Sequence, residues 1–197
     1  MEPTCREFRI ICSKVRFVPT PYLTTEQVDH VSELVAQYIA VQRETYRPQA
    51  LPLTAYQKAT LAGFFSLDVL ASTRLLVLDG ERVTNPEFYP MLESLGFDNL
   101  PDQSTMGAIT FIDTVVSHEP FTDGLLFHEL VHVEQYRQLG LSSFSALYVR
   151  GFLSGGGYEG IPLERNAYTL GERFQRDRTV SFSVAEIVAR WIAAKRF

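Results

Sequence analysis

Two of the four histidines in this 197-residue chain stand four residues apart, in the run His128-Glu129-Leu130-Val131-His132. On a helix, positions four apart share a face, one turn above the other, so both imidazoles can aim at one point beside the helix. Glu129 is rotated by roughly 100° from His128 and can reach the rim of that point without being a ligand. Two neutral imidazoles and a neighbouring carboxylate base are what one helix must supply to a catalytic zinc. The competing reading is two core histidines satisfied by hydrogen bonds, with Glu129 at the surface. A third ligand elsewhere in the chain decides between them.

The elements around this run must position it. Thr122 or Asp123 can cap a helix that continues to Gly140, where a left-handed residue can end it. Leu125, Leu126, Leu130, Val131 and Val133 make that helix apolar over much of its circumference, which predicts a buried helix. Upstream, Ala108–Val116 is β-branched and largely alternating, and reads as one strand. It can lie as an edge strand beside the metal, where an extended peptide would add through main-chain hydrogen bonds, or it can be covered. Downstream come a helix over Ser142–Leu153 and the run Ser154-Gly155-Gly156-Gly157, a hinge or tight passage without the lysine and threonine of a phosphate loop. A further helix follows, opened by Pro162 and reaching about Phe174. Glu164 falls in its first turn and Glu159 just before it.

The rest of the chain reads as scaffold. A capped helix is predicted from Thr24 or Thr25 to about Arg47, and its His30 reads as a surface or satisfied histidine rather than a ligand. One helix or a pair around Gly63 spans Tyr56–Leu70, with Phe64 and Phe65 as core candidates. A strand is expected at Leu75–Leu78, a helix over Pro86–Leu95 with Pro86 in its first turn, and a last helix over Ser183–Phe197. Phe8–Val18 suggests a strand or an irregular arm. The length suits one domain over residues 1–197, and 46% hydrophobic with 21% charged residues is ordinary for a globular chain. A formal charge of −5 leaves no basic footprint for nucleic acid. Cys5 and Cys12 show no zinc-ribbon or disulfide pattern and are expected as free thiols. The chain shows no secretory leader and no apolar run long enough to span a membrane, so a cytoplasmic location is expected.

The HExxH run, followed some thirty residues later by Glu164 on a second helix, resembles the gluzincin group of zinc metallopeptidases. Glu164-Arg165-Asn166-Ala167-Tyr168 looks like the E-x-x-A-[DY] stretch of small, minimal members of that group. The likeness covers residues 108–174. It implies an α+β, mostly helical, zincin-like domain with a small sheet whose edge strand precedes the HExxH helix. It also implies Zn²⁺ held by His128, His132 and Glu164, Glu129 as general base, and a peptide or protein substrate. Glu164 is preferred to Glu159 because a ligand within a helix is held more rigidly than one beside three glycines. Tyr168 stands where better-known members carry an aspartate that orients a ligand histidine. No histidine follows His132, so a tyrosine or arginine must stabilise an oxyanion. Tyr158, on the loop before the ligand helix, ranks ahead of Tyr148 and Tyr168. The rival expectation is a non-catalytic binding or scaffolding module with a structural or degenerate zinc site.

Overall fold

The first helix, α1 (Thr25–Tyr46), begins where the sequence can cap it. The Thr24 hydroxyl accepts from the Gln27 amide while the Gln27 side chain accepts from the Thr24 amide, which satisfies two orphan donors at once. The computed structural model describes residues 21–197, so the predicted arm over Phe8–Val18 and both cysteines lie outside the described residues. After α1 the chain makes a two-residue strand, β1 (Leu51–Pro52), and two short helices, α2 (Ala55–Leu61) and α3 (Leu67–Ser72). Gly63 lies between these helices, and Phe64 and Phe65 are buried, as expected. Next come β2 (Arg74–Val77) and α4 (Tyr89–Ser94). The latter starts later than predicted, with Pro90 rather than Pro86 in its first turn.

The expected single strand over Ala108–Val116 is instead a hairpin, β3 (Ala108–Phe111) and β4 (Thr114–Ser117). The chain reverses at Ile112, which has a φ of 63°. A β-branched residue in the left-handed region costs about 1–2 kcal/mol, and no glycine or asparagine marks the turn, so the alternation reads straight through it. Tertiary contacts hold the reversal. Asp113 accepts from Arg43 Nε at 2.7 Å and Arg43 Nη2 at 3.0 Å, and Arg47 Nη1 lies 2.9 Å away. Arg43 lies in the last turn of α1 and Arg47 is its C-cap, so the turn is clamped to the end of the first helix. Phe111 stacks on Tyr46 and meets Tyr38 edge-on, which adds an apolar contact between the same two elements.

The four strands form one mixed sheet in the order β1-β2-β4-β3, with β2 and β4 parallel and the other pairs antiparallel. All four residues of β4, an inner strand, are buried. As the terminal strand of the sheet, β3 is the expected edge strand, with β4 between it and the next helix. That helix, α5 (Asp123–Gly155), bends at Gly140, whose φ of 74° and ψ of 162° separate two helical arms. The first arm carries the HExxH run and the second covers the predicted Ser142–Leu153 helix. Then come α6 (Pro162–Arg176) and α7 (Val184–Ala193). The result is α+β and mostly helical.

Core lies on both sides of the first arm of α5. On one side Phe127 stacks on Phe174 of α6 at 4.4 Å between ring centroids and meets Phe65 at 5.1 Å. On the other, Tyr136 stacks on Phe144 of the second arm at 3.7 Å. A helix buried nearly all round is a dry, fixed platform for polar side chains. Among the described residues, no helix is long and apolar enough to cross a membrane.

The Asp113 clamp predicts a pH dependence of stability. Burial pushes the Asp113 carboxyl up, but Arg43 and Arg47 more than reverse this and hold it below its ordinary 3.8. A carboxyl depressed by folding stabilises fully above its unfolded value and loses that contribution as pH falls through the folded one. At pH 7 Asp113→Asn is expected to be about 1 kcal/mol less stable than wild type, because the pair is partly exposed. Denaturant melts at pH 7 and at pH values below 3.8 should show the gap closing on acidification.

Candidate metal centre

Thr122 caps α5, its hydroxyl accepting from the Leu125 amide at 3.2 Å, and this sets the phase of the helix. His128 and His132 then lie on one face with their Nε2 atoms 3.1 Å apart. The third group arrives from α6. To reach it the chain passes Gly155 and Gly160 in backbone contact, where a Cβ on Gly155 would meet the Gly160 carbonyl carbon at 2.6 Å. The glycine run is therefore a tight passage. Pro162 opens α6 immediately afterwards, and Glu164 in its first turn points Oε2 at the histidines, 3.4 Å from His128 Nε2 and 3.3 Å from His132 Nε2.

His128, His132 and Glu164 thus form a group able to hold a metal ion. A tetrahedral ion with bonds of about 2.0–2.1 Å needs ligand atoms about 3.3–3.4 Å apart, which this triangle nearly meets. Glu164 Oε2 is fully buried yet has no hydrogen-bond partner. Both imidazole nitrogens lie within ion-pair distance of it, at 3.3 and 3.4 Å. A buried carboxylate oxygen without a donor is costly, and a cation would relieve that cost.

The proton on His132 can be placed. Gln135 Nε2 faces two acceptors, Leu163 O and Asn166 Oδ1, each at 3.0 Å, which identifies it as the amide nitrogen. The other end of the amide, Oε1, lies 2.8 Å from His132 Nδ1, so Nδ1 must donate. His132 Nε2 is left to face the metal position. This is the orienting contact that ligand histidines require, supplied here by a neutral amide on the same helix.

Burial raises the Glu164 carboxyl, yet the opposing charge on His132 and then the contacts with His128 hold it well below the usual range. Burial lowers the His132 imidazole, and Glu164 overcomes this and raises it to about 9. Without metal, then, His132 and Glu164 form a buried ion pair, and a metal must displace the imidazole proton.

Glu129 is buried, not at the surface or merely at a rim. Its Oε2 accepts from the Thr110 hydroxyl of β3 at 2.7 Å. Glu159 is exposed in the turn Tyr158–Gly160 and is not part of the group. The Tyr148 hydroxyl donates to Glu164 Oε1 at 3.4 Å. Tyr168 does not replace the missing aspartate through a hydrogen bond; its ring tilts over His128 at 4.5 Å between centroids. Tyr158 lines both hollows that meet at the site, and no arginine lines either. Burial, reinforced by the Glu164 charge, pushes all three phenols above their usual range, so each remains an O–H donor. Sequence reasoning missed Gln135 and Thr110. Gln135, three residues after His132, was within reach of an i, i+3 argument, whereas nothing local marks Thr110.

Compared with known proteins, the chain matches no family model, no curated protein and no solved structure.

Two measurements follow from this geometry. With zinc as the probe, Glu164→Gln should weaken binding strongly and Glu159→Gln should leave it unchanged; the reverse order would move the third ligand to Glu159. Because the metal competes with a proton on His132, wild-type affinity should rise about tenfold per pH unit as the pH approaches about 9. A flat profile from pH 7 upward would show that His132 is neutral before metal arrives.

Proposed function

We propose that this chain is a zinc-dependent peptidase of the gluzincin kind, hydrolysing peptide bonds at the His128–His132–Glu164 centre. The observation that carries the reading is the convergence of two imidazole nitrogens and one partnerless carboxylate oxygen, with a second buried carboxylate, Glu129, beside them. Zinc suits a donor set of two nitrogens and one oxygen and, when bound, supplies a Lewis acid and lowers the pKa of a bound water to about 7.

The chain's own residues supply the rest. Of the two carboxylate oxygens of Glu129, Thr110 engages only Oε2, so the other can take the proton of the attacking water and pass it to the leaving amine. Tyr158, a protonated phenol between the two hollows, is the preferred donor to a developing oxyanion. Tyr148 is already engaged by Glu164 and fixes that carboxylate. The substrate backbone is placed along β3, the terminal strand, whose Ala108 lines both hollows.

Glu129→Gln should keep the metal and lower turnover by about 10²–10⁴-fold. Its amide oxygen still accepts from Thr110, so stability should change by no more than about 1 kcal/mol. Zinc content, melting and cleavage of a peptide library, measured in parallel on both proteins, provide the test. Equal cleavage by the variant would place the activity elsewhere. Iron in place of zinc after purification would overturn the hydrolase reading. Zinc in both proteins with no cleavage by either would favour a non-catalytic binding module.

A further inference from the structure

Two hollows of different size and lining meet at the candidate metal centre, sharing His128, Glu129 and Tyr158 in their walls. The first is a partly open hollow between α1, α4, β3 and the second arm of α5. Val35, Ile39, Leu92, Phe97, Val149 and Phe152 are among its walls, and its volume is about 140 Å³. The partnerless Glu164 Oε2, on a side chain 6% exposed, belongs to the wall nearest the histidines. An apolar cavity of about 150 Å³ stays dry and accepts benzene, so this one suits a single ring or a branched chain of about four to six carbons.

The second hollow is an open cleft of about 730 Å³ between the loop leading into β3, the start of α5 and the outer face of α6. Asp102 and Glu172 line it, and Glu119 stands against Gly107 at its lip. No lysine or arginine lines either hollow. Asp102 is exposed and accepts from Asn85 and Ser104, so its carboxylate is fixed in place at the cleft. One lip of the cleft is braced by His118, whose Nδ1 lies 2.6 Å from Met106 O while its Nε2 accepts from the Val83 amide at 3.0 Å.

We propose that the substrate is a peptide of divided character across the scissile bond, with a large apolar side chain seated in the smaller, apolar-walled hollow and lysine or arginine side chains lying in the wider cleft. This rests on the peptidase reading and names its substrate class. The apolar half follows from volume and lining. A Leu-sized group buries roughly three more carbons than alanine, worth about 10- to 100-fold in kcat/KM, and a Phe-sized group buries more again. The cationic half follows from the unbalanced carboxylates. It should favour lysine over glutamate by about tenfold at low salt, and the preference should shrink as salt screens the exposed charges.

The test is cleavage of a randomised peptide library by the zinc-loaded full chain at low and at high salt, with the cut sites read by mass spectrometry. The expected profile is enrichment of Leu, Phe or Met on one side of the cut and of Lys and Arg on the other, with only the basic enrichment lost in salt. Glu172→Lys, an exposed change, should weaken the basic preference and leave the apolar one intact. Val149→Phe should shift the apolar preference to smaller residues. If that variant does not fold, alkyl hydroxamates on wild-type protein give the same reading without turnover, with affinity rising to about six carbons and then levelling. Cleavage with no preference on either side overturns the inference and leaves the peptidase reading standing. Cleavage of nothing in the library overturns both.

Discussion

The structure turns on one side-chain amide. Gln135 sits fully buried between the first arm of α5 and the start of α6, accepting from His132 and donating to Leu163 O and Asn166 Oδ1. Those contacts fix the tautomer of one candidate ligand imidazole and the approach of the helix that carries the candidate carboxylate. Because the amide ends are distinguishable by their partners, orientation and register are set together. Loss of any one bond would strand a polar group in a dry interior, where an unmade hydrogen bond costs about 1–3 kcal/mol. The same dryness makes the Glu164–His132 attraction strong enough to overcome the burial of both.

The remaining polar group of the site is tied to a different part of the molecule. Glu129 is held by Thr110 on β3, and β3 exists as a separate strand because the chain reverses at Ile112. That reversal is strained and is held by the ion pairs from Asp113 to α1. A contact at the end of the first helix therefore bears on the position of a buried carboxylate at the centre. The path is physical: α1 to the turn, the turn to β3, and Thr110 to Glu129.

Burial also explains how the centre is reached. The first arm of α5 has core on both sides, so approach is confined to the two hollows that meet at His128 and Glu129. One is narrow and apolar, the other wide and bordered by carboxylates. This asymmetry arises from packing. The second arm of α5 and α1 leave an incompletely filled seam of apolar side chains, whereas the cleft is walled by an exposed loop and the outer turns of α6.

Local sequence determined much of the site. Helical periodicity puts His128 and His132 on one face whatever surrounds them, and Pro162 starts a helix that places Glu164 in its first turn. Thr24, Thr122 and Ser183 mark helix starts because a hydroxyl before an apolar run satisfies amides nothing else can reach. The mostly helical α+β character followed from those patterns. Tertiary structure decided what depends on contacts distant in sequence. The alternation over Ala108–Val116 is the same for one strand as for a hairpin, and contacts from Arg43, Arg47 and the tyrosines of α1 select the turn. Glu159 and Glu164 are equivalent in spacing terms, and the Gly155–Gly160 passage brings one inward and leaves the other in solvent. Tyr168 occupies the position expected of an orienting residue, but its ring lies over His128, and the orienting contact that packing supplies goes from Gln135 to the other imidazole, His132. Periodicity carries information about faces, and faces become sites only when packing decides what lies opposite them.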